Sequence, residues 1–290
     1  MKPRLRTVTI ASSGTPLEKE YRDVDAALAR TTAQVTTFDP SRYDPRAVSR
    51  AIAAWTARMG AEHRSTTVFS SLAAQLVEAN ATLDAKLVML RMAQDELRHT
   101  ETCARVVAAL GGEPSCVIDV SVAPLARHRG CTPEERALRN VIYTTCLSEM
   151  IAVSRLVDEL DQTADPFLRD ASRRLLADEV LHGQFGFHYL EAWRPWLQEH
   201  EEVIHSLERY LQHAFKVLEG ALAGSRRASV LSDDERALGL PDGARAFQIF
   251  HDTIEHAVVP GLCRFGIDAK RAWKKRKLLD AIDERTPSLS

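Results

Sequence analysis

From Asp44 onward the chain alternates long stretches, in which apolar residues return every three or four positions, with short stretches rich in Gly, Pro, Asn and Asp. Steps of three and four keep side chains on one face of an α-helix. The first stretch carries Ile52, Trp55, Met59, Thr66, Phe69, Ala73 and Leu76; the second Met89, Met92, Cys103, Val106 and Leu110. The third carries Leu138, Ile142, Thr145, Ala152 and Leu156, and the fourth Leu168, Ser172, Leu175, Gly186 and Tyr189. Their ends are marked. Asp44-Pro45 places an N-cap and a first-turn proline before the first helix, which runs to about Ala79. "NATLD" turns the chain into the second helix, which ends at Gly111-Gly112. Thr132-Pro133-Glu134-Glu135 is a capping box opening the third, "DQTADP" breaks it, and Asp165-Pro166 starts the fourth, which fades near Pro195.

The connections are therefore short, long and short, the long one running from Gly112 to Cys131 through Pro114, Pro124 and Gly130. An all-α four-helix bundle with one crossover connection has this pattern. Residues 1–43 lack a sustained period and read as an irregular arm with a short extended piece at "TVTI". The reading is an N-terminal arm (1–43), a bundle (44–195) and a C-terminal helical extension (196–290) that packs on it.

The apolar stripes carry intruders. Glu62, Glu96, His99, Glu149, Glu179 and His182 all fall within them, near the middle of their helices. A buried, uncompensated carboxylate costs several kcal/mol, against a domain stability of roughly 5–15 kcal/mol. Two divalent cations would balance the glutamates. Glu from each of two helices, with Glu-x-x-His from each of the other two, is the ligand set of a carboxylate-bridged dimetal site. Spacing of i, i+3 puts Glu and His on one helix face, about 5–6 Å apart. The phrase Asp-Glu-x-x-His occurs twice, as Asp95-Glu96-x-x-His99 and Asp178-Glu179-x-x-His182. Glu62 and Glu96 lie at similar depth about the turn near residue 81, as do Glu149 and Glu179 about the turn near 164. Glu78 competes in the first helix but lies too near the turn and off the stripe. Carboxylates with imidazoles suit iron or manganese better than a metal that prefers thiolate.

Composition narrows the reading further. Acidic and basic residues nearly cancel, to a net charge of −2, so no global field favours nucleic acid as a partner. "KRAWKKRK", from Lys270 to Lys277, is a local basic run that reads as a solvated helix end. No apolar run is long enough to span a membrane, and the first residues lack the apolar core of a signal peptide. The 5 cysteines are scattered without Cys-x-x-Cys, which favours reduced thiols and a cytoplasmic setting.

The wording "AEHRSTTVF", "AQDELRHTE", "LSEMIAV" and "ADEVLHGQF" resembles the ferritin-like di-iron carboxylate superfamily over residues 44–195, closest to its oxidase and oxygenase branches. The resemblance implies that Glu62, Glu96, His99, Glu149, Glu179 and His182 hold two Fe ions or a Mn/Fe pair. It also implies that Asp95 pairs with His182 and Asp178 with His99, each carboxylate fixing the opposite imidazole. Cys103 stands where the radical-generating ribonucleotide reductase subunits carry tyrosine, Val153 where methane-hydroxylating enzymes carry threonine, and Leu175 where arylamine oxygenases carry histidine. The Cys-x-x-Cys module usual in rubrerythrins is absent, and the chain runs on well past the end of a ferritin.

In that extension, residues 196–222 read as a fifth helix, "GSRRASVLSDDERALGLPDG" as a loop with short turns, and Ala244 to Val259 as a sixth. His251, Glu255 and His256 hint at a further metal site but have no companion ligands in the sequence. The resemblance implies a non-haem di-iron oxygenase or oxidase that uses O2 on a small organic substrate in specialised metabolism. Its partners would be a reductase or ferredoxin-type electron donor, in a homodimer. The alternative is an iron-oxidising or iron-holding protein without an organic substrate. On the family pattern a substrate pocket is lined by Trp55, Arg58, Cys103, Val107, Val153 and Leu175. Arg58 would bind a substrate carboxylate there or pair with Glu62 on its own helix.

Overall fold

Asp44 accepts the backbone N–H groups of Arg46 and Ala47 at 2.8 and 3.4 Å, and Pro45 presets the first turn. In the computed structural model, which describes residues 3–10, 22, 37–222 and 231–276, this cap opens helix α1 (Pro45–Glu78). Asn80 turns the chain with a left-handed φ of 50°, and α2 (Leu83–Ala109) follows. That helix ends where Gly111 adopts φ 88°, a conformation glycine takes without strain. The described residues are mostly helical, with one two-stranded ribbon. Among them no helix is long and apolar enough to cross a membrane.

The expected extended piece is strand β1 (Leu5–Thr9), and its partner β2 (Ser115–Asp119) lies in the long connection after α2. The two pair antiparallel, from Leu5 opposite Asp119 to Thr9 opposite Ser115. The third periodic stretch is an α-helix, α3 (Pro133–Val141), a π-helical stretch (Ile142–Glu149) and α4 (Met150–Gln162) in succession. Helix α5 (Pro166–Ala192) begins with Asp165 Oδ1 accepting the N–H groups of Phe167 and Leu168 at 3.0 and 3.1 Å. The predicted fifth helix is broken at His200 into α6 (Arg194–Glu199) and α7 (Glu201–Leu222). Within the predicted loop, 231–242 contains α8 (Asp233–Ala237), opened by a Ser232–Glu235 capping box; 223–230 lie outside the described residues. The predicted sixth helix is α9 (Gly243–Thr253), a π-helical turn (Ile254–Val258) and α10 (Val259–Cys263), followed by α11 (Ala269–Lys275).

The chain divides into two compact units. The first comprises Met1–Glu134, Leu156–Val180 and Leu231–Pro241. Its core takes Ala51, Trp55 and Met59 from α1, Cys103, Val106 and Val107 from α2, Leu168 and Leu175 from α5, and Leu231, Leu238 and Leu240. The last three arrive with α8, which closes over the α4–α5 turn: the N–H groups of Ala164 and Asp165 both donate to the Ala237 carbonyl, at 3.0 and 3.1 Å. Arg50 on α1 pairs with Glu235 of α8, and the Tyr43 hydroxyl donates to Asp165 at 2.8 Å.

The second unit comprises Glu135–Arg155, Leu181–Val230 and Asp242–Ser290. Gly186 lets α5 meet the π-helical stretch there: a Cβ on it would stand 2.3 Å from Thr145 Oγ1 and 2.4 Å from Cys146 Sγ. Thr145 turns its hydroxyl back onto the Val141 carbonyl at 2.7 Å, a bond that competes with the regular ladder where the helix widens. Elsewhere in this unit Phe215, Phe250 and Trp273 meet edge to face, and the buried Arg276 pairs with Glu219 at 2.8 Å.

Candidate metal centre

In the first unit Glu62 from α1, Glu96 and His99 from α2 and Glu179 from α5 each offer a ligand atom, all within 4.8 Å of one another. Stripe periodicity does this: α1 buries Met59 and Phe69 on either side of Glu62, and α2 buries Met92 and Cys103 on either side of Glu96 and His99. His99 Nδ1 faces Glu179 Oε1 at 3.1 Å, Glu62 Oε2 at 3.7 Å and Glu96 Oε2 at 4.0 Å. Its other nitrogen, Nε2, lies 3.6 Å from Asp178 Oδ2. Burial on its own would lower the imidazole's pKa. The carboxylates of Asp178, Glu179 and Glu62 outweigh it and hold the pKa well above the ordinary value. The surrounding carboxylates thus favour the protonated imidazole where no metal is bound, and a metal at Nδ1 would take the place of that proton.

Such a group could hold a divalent metal. Carboxylates this close repel one another unless positive charge stands between them, and a single imidazolium does not balance three glutamates. Carboxylate oxygens and one imidazole nitrogen converging within 4.8 Å fit the donor preference of iron or manganese.

The remaining expected ligands belong to the second unit. Glu149 and His182 bring ligand atoms within 4.8 Å of each other, and His182 is fully buried. Glu149 ends the π-helical stretch, and His182 stands on α5 one turn beyond Glu179.

Both aspartates of the repeated phrase are buried. Asp178 faces His99, and Asp95 accepts from Arg91 Nε at 2.7 Å and Arg98 at 2.8 Å. Arg98 also reaches Asp178, at 3.3 Å, and Arg91 lies 3.8 Å from it. Neither arginine stood out in the sequence, because each reads as an ordinary charge on a helix. Glu78 is exposed at the end of α1, in keeping with its place off the stripe.

The residues expected to line a substrate pocket are packed. Trp55, Cys103, Val107 and Leu175 are buried in the core of the first unit, and Val153, in the second, packs toward Gly183. Arg58 spends its guanidinium on Glu159, at 2.9 and 2.5 Å, and stacks over Trp55 at 4.7 Å. Burial would depress the Arg58 pKa, but Glu159 more than offsets it. Glu159 carries no sequence signal, since it closes the α4 stripe as one more acid at a helix end. Burial first, then the charge of Glu62, pushes the Cys103 thiol far above its ordinary pKa, so it stays protonated.

In the second unit a pocket of about 420 Å³ is lined by Gln184, Phe187, His188, Glu191, Arg264 and Phe265, none of them expected. The His251, Glu255 and His256 group is engaged in packing. His251 faces Glu219 at 3.1 Å, Glu255 accepts from Trp273 Nε1 at 2.9 Å, and His256 sits 3.0 Å from the Asp252 carbonyl. The basic run places Trp273 in the core and leaves Lys270 exposed, up to Arg276, the last described residue before Lys277.

Comparison with protein-family models, curated proteins and solved structures finds no match to the chain.

Proposed function

We propose that the chain is a non-haem dimetal oxygenase or oxidase that uses O2 to oxidise a small organic molecule. Glu62, Glu96, His99, Glu149, Glu179 and His182 would hold two iron ions, or a Mn/Fe pair. The observation that carries this reading is the first ligand group: the buried Glu96 and Glu179 and the half-buried Glu62 around His99, from three helices, with ligand atoms within 4.8 Å of one another. The proposal joins it to Glu149 and His182 through α5, which carries Glu179 and His182 one turn apart. It takes α1, α2, the α3–α4 rod and α5 as the helices of a ferritin-like four-helix bundle. When bound, the metal pair would supply O2 activation, with electrons from a reductase or ferredoxin-type donor.

The chain's own residues orient and shield. Asp178 holds His99 Nε2, which leaves Nδ1 directed at the glutamates, and Asp95 is expected to serve His182 in the same way. Met59, Phe69, Met92 and Cys103, buried on either side of the ligands along α1 and α2, would limit the water that reaches the metals. The protonated Cys103 thiol packs rather than ligates. A substrate carboxylate would reach Arg58 only by displacing Glu159. The test is anaerobic loading with Fe(II), then O2 uptake measured against a panel of small metabolites. Uptake stimulated by an organic compound, with an oxidised product, supports the oxygenase. Uptake that tracks only added iron and deposits mineral overturns it in favour of iron handling.

A further inference from the structure

One feature of the second unit plays no part in holding metal. From α5 into α6 five rings follow one another in contact, two pairs stacked, one tilted and the Trp193–Trp196 pair edge to face. Phe185 and Tyr189 have centroids 5.9 Å apart, Tyr189 and Trp193 5.5 Å, Trp193 and Trp196 5.2 Å, and Trp196 and His200 4.0 Å. Spacing of i, i+4 or i, i+3 brings each ring onto the next, at distances typical of aromatic pairs. The ladder runs from the interior outward: Phe185 and Tyr189 are buried, whereas Trp193, Trp196 and His200 are half-buried. Its inner end begins one turn after His182, and Tyr189 lies on the same α5 stripe. It also continues across the break between α5 and α6, where Trp193 supplies the N-cap position without a side-chain capping bond. Indole and phenol are the side chains most readily oxidised by one electron, and three of the five rungs are of these types.

We propose that Tyr189, Trp193 and Trp196 form a one-electron relay between the His182 end of α5 and the protein surface. The relay rests on the redox reading of the centre for its purpose, though not for its operation. The elementary exchange is between rungs. An indolyl radical on Trp196 or Trp193 takes one electron from Tyr189 and becomes closed-shell indole. The Tyr189 O–H bond breaks and leaves a neutral phenoxyl radical, the proton of this buried hydroxyl reaching solvent water as the site transiently opens. The indole N–H bond of the half-buried tryptophan re-forms with a proton from water. The oxidant that starts the exchange is any one-electron oxidant at the surface. The electron that restores the relay comes from a one-electron donor such as a reduced flavin or iron–sulfur protein.

The experiment is pulse radiolysis of the full metal-free chain, with azide radicals as the oxidant. The half-buried Trp193 and Trp196 are within reach, whereas Trp55 and Trp273 are buried. The expected result is indolyl absorption that decays as phenoxyl absorption grows, at a rate independent of protein concentration. Tyr189→Phe should remove most of the phenoxyl growth. Trp193→Phe should slow it by more than an order of magnitude, and Tyr43→Phe should leave it unchanged, with circular dichroism confirming the fold of each variant. Growth that persists in Tyr189→Phe, keeps its rate in Trp193→Phe, or accelerates with protein concentration overturns the relay. Because the chain carries no metal in this measurement, failure of the relay is separate from failure to bind metal.

Discussion

Asp95-Glu96-x-x-His99 on α2 and Asp178-Glu179-x-x-His182 on α5 use the same words in different surroundings. The α2 copy is held by charge. Arg91 and Arg98 both bond Asp95, and no glycine interrupts α2. The α5 copy is followed by Gly183 and Gly186, whose missing side chains let α5 close on Met150, Thr145 and Cys146. Arg98 also reaches Asp178 of the α5 copy, so ion pairs brace both copies, and close backbone approach is added at the α5 copy alone. A motif of this kind specifies ligands; what makes them rigid is separate, and here it is solved in two ways. The two copies should therefore respond to different perturbations.

The largest expected effect is on metal binding itself. Glu179→Gln removes a carboxylate 3.1 Å from His99 and a ligand atom from the first group. At a free metal concentration a hundredfold above Kd, binding should stabilise the parent by about 2.7 kcal/mol, and the variant should gain almost nothing. Anaerobic thermal melts with and without Fe(II) measure the difference. Asp178→Asn comes next: it removes the carboxylate facing His99 Nε2 and should weaken metal affinity by about 10–100-fold in a chelator competition. Arg91→Gln should do less, since that guanidinium stands 3.8 Å from Asp178 and its main bond is to Asp95.

The smallest effects probe the α5 side. Gly186→Ala drives a methyl against Thr145 and Cys146 and should cost about 1–3 kcal/mol in denaturant unfolding. Gly183→Ala should cost less, because its nearest neighbour is the flexible Met150 thioether at 3.0 Å. Gly220→Ala, with open space around it on α7, should instead gain about 0.5–1 kcal/mol. If Gly186→Ala behaves like Gly220→Ala, close approach does not set the α5 copy.

Much of this was legible in the sequence because it depends on local chemistry. Asp44, Asp165 and Gly111 mark helix ends through caps and a left-handed turn, and those ends fall where expected. The ligand stripe on α2 was legible for the same reason, since every named position from Met89 to Leu110 is buried. The π-helical stretch was not, because a period of 3.6 is blind to an added residue per turn. Thr145, read as a small stripe residue, instead bonds Val141 inside that stretch. Glu159 escaped because its partner Arg58 is distant in sequence. Arg91 and Arg98 escaped because a charge pair within one turn of Asp95 reads as an ordinary helix face, while their reach to Asp178 carries no local mark. Strand β2 escaped because its hydrogen bonds go to a strand more than a hundred residues away. Of the expected pocket residues, Trp55, Cys103, Val107 and Leu175 are buried in a core, and Arg58 is already bound to Glu159.

The most direct test of the central claim is the iron content of correctly folded chain after anaerobic Fe(II) loading and removal of loosely bound metal. The account predicts two iron ions per chain, as a carboxylate-bridged pair requires, with both reduced in Glu179→Gln. Less than about one ion per chain, in protein that retains its helical signal and cooperative melt, would contradict it.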